Sequence, residues 1–277
     1  MILFICEGEG REPRLLDAIN NFFLSEHTDR KDAYTDRKDA YIVSWGCHIW
    51  SLASQVKKYS EGFSEIEIKD IVDIVALLKE QKKNKPKDSI HQVKQSSDIS
   101  QIYLFFDFDP QNNEEDLSVQ LSKIDDLLRL FDNERIGMLY ISYPMIEAIC
   151  YTEALPSRNF YEYVCSIYAC KSFKHDTPRI TGHKNHDAFL ARKSPKGNKT
   201  RSNWSTVIQQ HRRKAQLLCS VGARDSLTQR MLFHVQCDKY IKPREEMVVL
   251  ASIPLFLYDY FEEEKRKEFG FSIEEGE

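Results

Sequence analysis

The sequence has no apolar run approaching the eighteen or so residues that a bilayer-crossing helix needs, so no membrane span is expected. Glycine is scarce, ten in 277 residues, and no nucleotide-binding glycine loop stands out. That argues against a sugar-nucleotide transferase using the D-F-D of residues 107–109 as its metal motif. The seven cysteines (Cys6, Cys47, Cys150, Cys165, Cys170, Cys219 and Cys237) are odd in number and scattered, with no C-x-x-C pair. A disulfide framework or zinc ribbon is thereby disfavoured, and a reducing compartment fits. The opening MILFICEGEG lacks the basic start, long apolar stretch and small-residue cleavage site of a secretory signal. A cytoplasmic protein without membrane contact is expected.

What is present is ordinary globular composition with an unusual distribution of charge. Hydrophobic residues make up 42% and aromatic residues 12%, enough to bury a core, and the length suits one large α/β domain or a domain with a smaller companion. Charged residues make up 30%, yet the net charge is only −4.

Along the chain, ILFIC reads as a strand covered on both faces, followed by the turn EGEGREP. Leu15, Leu16, Ile19, Phe22 and Phe23 then recur at helical spacing. TDRKDAYTDRKDAY is a seven-residue unit repeated once in tandem, read as a tolerated insertion in an exposed connection. A second strand is expected over Tyr41 to Trp45, ahead of Gly46 and the helical HIWSLASQVKKY. The spacing of Ile71, Ile74, Val75 and Leu78 predicts a helix around Ile66 to Glu80, and the polar stretch to about Ser100 makes residues 60–100 read as an insertion. IYLFF is the strongest strand, ending abruptly in DFDPQNNEED, with a helix marked by Leu117, Leu121, Ile124, Leu128 and Phe131 behind it. MLYIS and YPMIEAICY form the next strand and helix start. Alternating strands and helices predict a parallel sheet with helices on both faces, in which ligands sit at the carboxyl ends of the strands.

Those ends are acidic. ILFIC ends at Glu7, IYLFF at Asp107 with Asp109 two positions on, and MLYIS is followed by Glu147. Carboxylates gathered at one sheet edge repel, and a divalent cation relieves that repulsion. Mg²⁺ or Mn²⁺, which favour oxygen ligands, suits such a set, so Glu7, Asp107, Asp109 and Glu147 are the candidate metal ligands. Two of the few glycines, Gly8 and Gly10, directly follow the first strand, where a phosphate can approach the backbone. The simpler reading is that each carboxylate caps the next helix or turn, as Asp109 before Pro110 would.

FICEGEG followed by a helix, Gly46 after the second strand and FFDFD together resemble the Toprim domain of topoisomerases, bacterial primases and several nucleases. The segments CEGEGREP and SYPMIEA are most similar to RloB-like and abortive-infection Toprim proteins of bacterial phage defence. The resemblance covers roughly residues 1–150, about half the chain, and implies a Toprim-like, Rossmann-like catalytic domain there. It implies Glu7 as general acid/base and Asp107 and Asp109 as Mg²⁺ ligands, all three catalytic, with Glu9, Glu12 and Glu147 as outer ligands. Many family members carry a glycine shortly after the Asp-x-Asp; here Pro110, Gln111 and Asn112 follow. The reaction implied is metal-assisted phosphodiester hydrolysis of RNA (transfer RNA included) or DNA. Simple hydrolysis is expected rather than strand passage, which needs a large tyrosine-bearing domain that these 277 residues do not suggest. The biological setting implied is antiviral defence with an ATPase sensor as partner, and homo-oligomerisation is compatible with it.

Residues 151–277 read as a basic, mostly helical region. Between Lys171 and Lys214, twelve lysines and arginines face only Asp176 and Asp187, a surplus of ten positive charges in an acidic chain. That is the electrostatic footprint of a protein that meets a phosphate backbone. The candidate nucleic-acid contacts are Lys171, Lys174, Arg179, Lys184, Arg192, Lys193, Lys196, Lys199, Arg201, Arg212 and Arg213, with Trp204 as a stacking platform beside Phe173 and Phe189. KSPKGNKTRSN reads as a loop ordered by binding, and HKNHD is too sparse a histidine pattern to define a site. MVVLASIPLFLYDYF is expected to pack on the core and the acidic end EEEKRKEFGFSIEEGE to be solvated. The competing reading is a non-catalytic module that binds nucleic acid or an ATPase and keeps a regulatory or vestigial acidic site.

Overall fold

A computed structural model describes residues 1–24, 40–60, 62, 68–69, 71–181, 190, 197–222 and 225–273. The chain divides into two compact units: Met1–Phe105 with Asp126–Leu139, and Phe106–Asp125 with Tyr140–Glu277. The boundary expected near residue 150 is therefore replaced. Residues 140–150 group with the C-terminal half because Tyr143 bridges Leu250 and the Ser142 hydroxyl meets that of Ser252 at 2.8 Å.

The main sheet runs β2-β1-β3-β5-β4, from β1 (Ile2–Cys6), β2 (Ala40–Ser44), β3 (Gln101–Asp107), β4 (Asp132–Asn133) and β5 (Gly137–Ser142). β1 pairs in parallel with both β2 and β3, while β4 is an antiparallel edge on β5. The Ile102 N–H donates to Glu134 O and the Phe108 N–H to Ser142 O, so β3 and β5 also ascend together. The α/β class with a mostly parallel sheet is as expected. Leu3, Phe4, Ile5 and Cys6 of β1, and Ile102 to Phe106 of β3, are all buried, as unbroken apolar strands require when both faces are covered.

In the first unit, α1 (Arg11–Ile19) ends in a π-helical turn, Asn20–Leu24, and buries Leu15, Leu16, Ile19 and Phe23. α2 (Ile49–Ser60) follows β2, and α3 (Ile74–Gln81) starts where Asp73 caps the Val75 and Ala76 N–H groups. Ile68, Lys69 and Ile71 are helical as well, so the helix expected around Ile66 to Glu80 is interrupted at Val72 and Asp73, where the Asp73 cap starts a new one. The stretch read as an insertion supplies core residues: Ile74, Val75, Leu78, Ile90 and Val93 are buried. Most of the tandem repeat, residues 28–39, lies outside the described residues; its last two, Ala40 and Tyr41, begin β2.

The second unit holds most of α4 (Leu117–Leu130), then α5 (Cys170–Thr181), α6 (Gly197–Cys219), α7 (Gln229–Gln236), α8 (Ser252–Tyr260) and α9 (Glu263–Glu268). A small antiparallel pair joins β6 (Val164–Ser166) to β7 (Glu246–Val248). The expected loop KSPKGNKTRSN is helical from Gly197 onward, with the residues before it undescribed. β7 and α8 are core, as their composition implies. The acidic end is only partly solvated, because Phe269 and Phe271 are buried among aromatic neighbours. Among the described residues no helix is long and apolar enough to cross a membrane, and all seven cysteines are free.

Candidate functional site

In the first unit, Glu7 directly follows β1, with its N–H bonded to Phe105 O at 3.0 Å. The Gly46 N–H donates to Glu7 O at 3.0 Å and the Trp45 N–H to Cys6 O at 2.7 Å, which fixes the ends of β1 and β2 together. Gly46 has φ +82°, a conformation that favours glycine. Glu12, in the first turn of α1, is buried and turns back to accept from the Gly8 N–H at 3.2 Å. A Cβ on Gly8 would stand 2.9 Å from a Glu12 oxygen, so its smallness serves this closure. Glu9 is exposed and pairs with Lys85 at 2.7 Å, and that bond and charge hold its carboxyl below the usual range. Burial, reinforced by Glu12, pushes the Cys6 thiol far up, so Cys6 is inert packing rather than a nucleophile.

In the second unit, Asp107 ends β3 and accepts from the Ile146 N–H at 2.9 Å. Asp109 caps the 3₁₀ turn Pro110–Asn112 through the Gln111 N–H at 3.1 Å. Asp109 therefore does the capping work that the simpler reading gave it, while Asp107 bonds the first N–H of the distant 3₁₀ turn Ile146–Cys150 rather than of the next turn; a carboxylate with several lone-pair sites can accept such a bond and ligate at once. Glu147 is 4% exposed and stands 3.7 Å from the exposed Lys174 ammonium. The first turn of α5 meets the Asp-x-Asp loop. The Lys171 N–H donates to Gln111 Oε1 at 3.3 Å, and the Cys170 thiol is pushed up first by burial and then by the Asp109 charge. Nothing in the sequence marks α5 or Cys170 for this place, because some sixty residues separate them from the Asp-x-Asp loop and no periodicity links the two.

The donor set is oxygen throughout, which fits a hard divalent cation. Among the described residues, however, no group of three or more His, Cys, Asp or Glu side chains is gathered closely enough to hold a metal ion.

The basic segment divides by burial. Lys171 and Lys174 are exposed on α5, while Arg201 and Arg213 on α6 are half-buried. Trp204 is fully buried with its indole N–H on Leu190 O at 2.8 Å, and Phe173 is buried in a stack on Tyr151. Neither is available to stack on a base. Arg212 is also internal: it pairs with Asp259 at 3.1 Å and lies over the Tyr258 ring at 4.6 Å. Trp204 and Arg212 fall on the core face of a long amphipathic helix, which corrects their reading as surface contacts. Lys184, Phe189, Arg192, Lys193 and Lys196 lie outside the described residues, as do the side chains of Arg179 and Lys199.

No family model matches the chain, and no match is found among curated proteins or solved structures.

Proposed function

We propose that the chain is a Toprim-type, Mg²⁺- or Mn²⁺-dependent nuclease acting on RNA or DNA. One observation carries this reading: β1 and β3 are parallel neighbours, and their carboxyl ends run directly into Glu7 and into Asp107. The chain leaves β1 for β2 on one side and returns to β3 on the other, the reversal at which α/β sheets bind ligands. Asp107, Asp109 and Glu147 would hold the cation, which when bound supplies charge stabilisation at the phosphate oxygens. Glu7 would take or give the proton of the attacking water or the leaving oxygen. Lys171 and Lys174 would neutralise the nucleic-acid backbone. A role in phage defence beside an ATPase partner rests on the resemblance of CEGEGREP and SYPMIEA alone.

The test needs no activating partner in its first step. A cation at ten times its dissociation constant stabilises by about 1.4 kcal/mol, roughly 3–5 °C in Tm for a chain this size. Mn²⁺ should raise the wild-type Tm by that amount and leave Asp107→Asn unmoved. Cleavage of RNA and DNA panels should then be lost in Glu7→Ala. Equal Mn²⁺ responses in both proteins would remove the metal site. That outcome would favour the second reading, a non-catalytic nucleic-acid- or ATPase-binding module, which the lack of a gathered three-group cluster among the described residues also favours.

A further inference from the structure

Within the first unit, Lys82 follows the last residue of α3 and is only 3% exposed. A buried ammonium is costly unless it is paired and hydrogen-bonded. Here the only partner among the described residues is Glu9, at 3.8 Å, which is an ion pair but too long for a hydrogen bond. Glu9 is itself exposed and already engaged by Lys85 at 2.7 Å, so two ammonium groups share one carboxylate. The space beside Lys82 is kept by Gly46: a Cβ there would stand 3.0 Å from Lys82 Nζ and 3.6 Å from Glu9 Oε1. Two residues on, the His48 Nδ1 is buried with no hydrogen-bond partner among the described residues.

We propose that Lys82 is the floor of a phosphate-binding site at the carboxyl ends of β1 and β2, and that Glu9 stands in for the phosphate when no ligand is bound. The contacts select the ligand class: Lys82 and Lys85 both turn to the single carboxylate of Glu9, which reaches Lys82 only at 3.8 Å. An ammonium with three donors and no acceptor closer than that among the described residues suits the several oxygens of a phosphate group. The phosphate would be one of a nucleic acid's, an assignment that rests on the nuclease reading; the site itself does not.

The experiment is a titration with inorganic phosphate, at constant ionic strength and with chelator present, of protein labelled with ¹⁵N at glycine. Only ten glycine amides need resolving, and Gly8 and Gly46 are the reporters. Their resonances should move saturably in the wild type. Lys82→Met should abolish the movement of Gly46. Glu9→Gln removes one competing charge about 4 Å from the ammonium and should tighten phosphate binding about fivefold, with a thermal melt of the variant showing that it is folded at the titration temperature. The proposal fails if Lys82→Met responds like the wild type, or if Glu9→Gln binds no more tightly. Neither result depends on cleavage, so loss of the nuclease reading through an active Glu7→Ala leaves this test standing.

Discussion

Replacing Arg212 with Met should destabilise the protein in a way that depends on pH. The guanidinium bonds Asp259 at 3.1 Å, donates to Asp225 O at 3.3 Å and lies over Tyr258, with its side chain 5% exposed. Breaking a buried pair by removing one partner costs about 3–5 kcal/mol, because the other charge is left behind. Asp259 keeps 28% of its side chain exposed, so water recovers part of that and roughly 2–3 kcal/mol is expected. In Tm this is roughly 4–10 °C. Burial lifts the Asp259 carboxyl from 3.8 to about 6, with Arg212 pulling the other way. A carboxyl raised on folding binds more protons in the folded state between those two values, so its contribution to stability falls as pH rises through that window. Without Arg212 the folded carboxyl rises further. At pH 5 it is largely protonated in both folded proteins and asks for no partner, so the deficit of the variant should be small there, grow as pH rises above about 6, and reach its full size above the variant's own higher value. Denaturant melts at pH 5 and pH 8 measure this directly, and Asp259→Asn in the Arg212→Met background should restore most of the loss at pH 8. A deficit of equal size at both values would refute the charge argument and leave only packing over Tyr258.

Two further outcomes follow from the burial of the basic segment. Trp204→Ala should cost roughly 3–5 kcal/mol in denaturant melts, since it empties a core site and strips Leu190 O of its donor; a stable variant with weakened nucleic-acid binding would bring back the stacking role. Lys171→Glu and Lys174→Glu should weaken binding across sequences alike and lower the log–log salt slope by about one for each phosphate no longer neutralised, read by fluorescence anisotropy. An unchanged slope would take α5 out of the nucleic-acid surface.

The unbroken apolar strands are legible in the sequence because their pattern needs no partner to interpret it: ILFIC and IYLFF lack charged positions, and a sheet covered on both faces accommodates that. The acidic strand ends are legible for the same local reason. The stretch 60–100 misleads because KKNKPKD looks like linker, whereas Ile90 and Val93 beyond it are held in the core by a 3₁₀ turn that Asp88 caps. Trp204 and Arg212 mislead for a different reason. Composition registers the charge of a segment but not its phase, and on α6 the phase turns both side chains inward. Lys82 is invisible for the converse reason, since nothing in a run of lysines marks which one will be covered.

Arg212 is not the only internal cation at the far end of the basic segment. Lys214 is also internal, donating to Phe160 O at 2.7 Å and Tyr163 O at 2.8 Å, and burial draws it down to about 7. The far end of the segment therefore holds the second unit together, and the exposed cations among the described residues gather at its beginning, on α5. That is the end at which Lys171 is bonded to the loop carrying Asp109 and Lys174 faces Glu147. A phosphate backbone drawn to Lys171 and Lys174 would thus arrive beside the carboxylates rather than at a remote tether. Charge reversal on α5 should accordingly impair cleavage as well as binding, whereas on a remote tether it would alter binding alone; kcat measured at saturating nucleic acid separates the two.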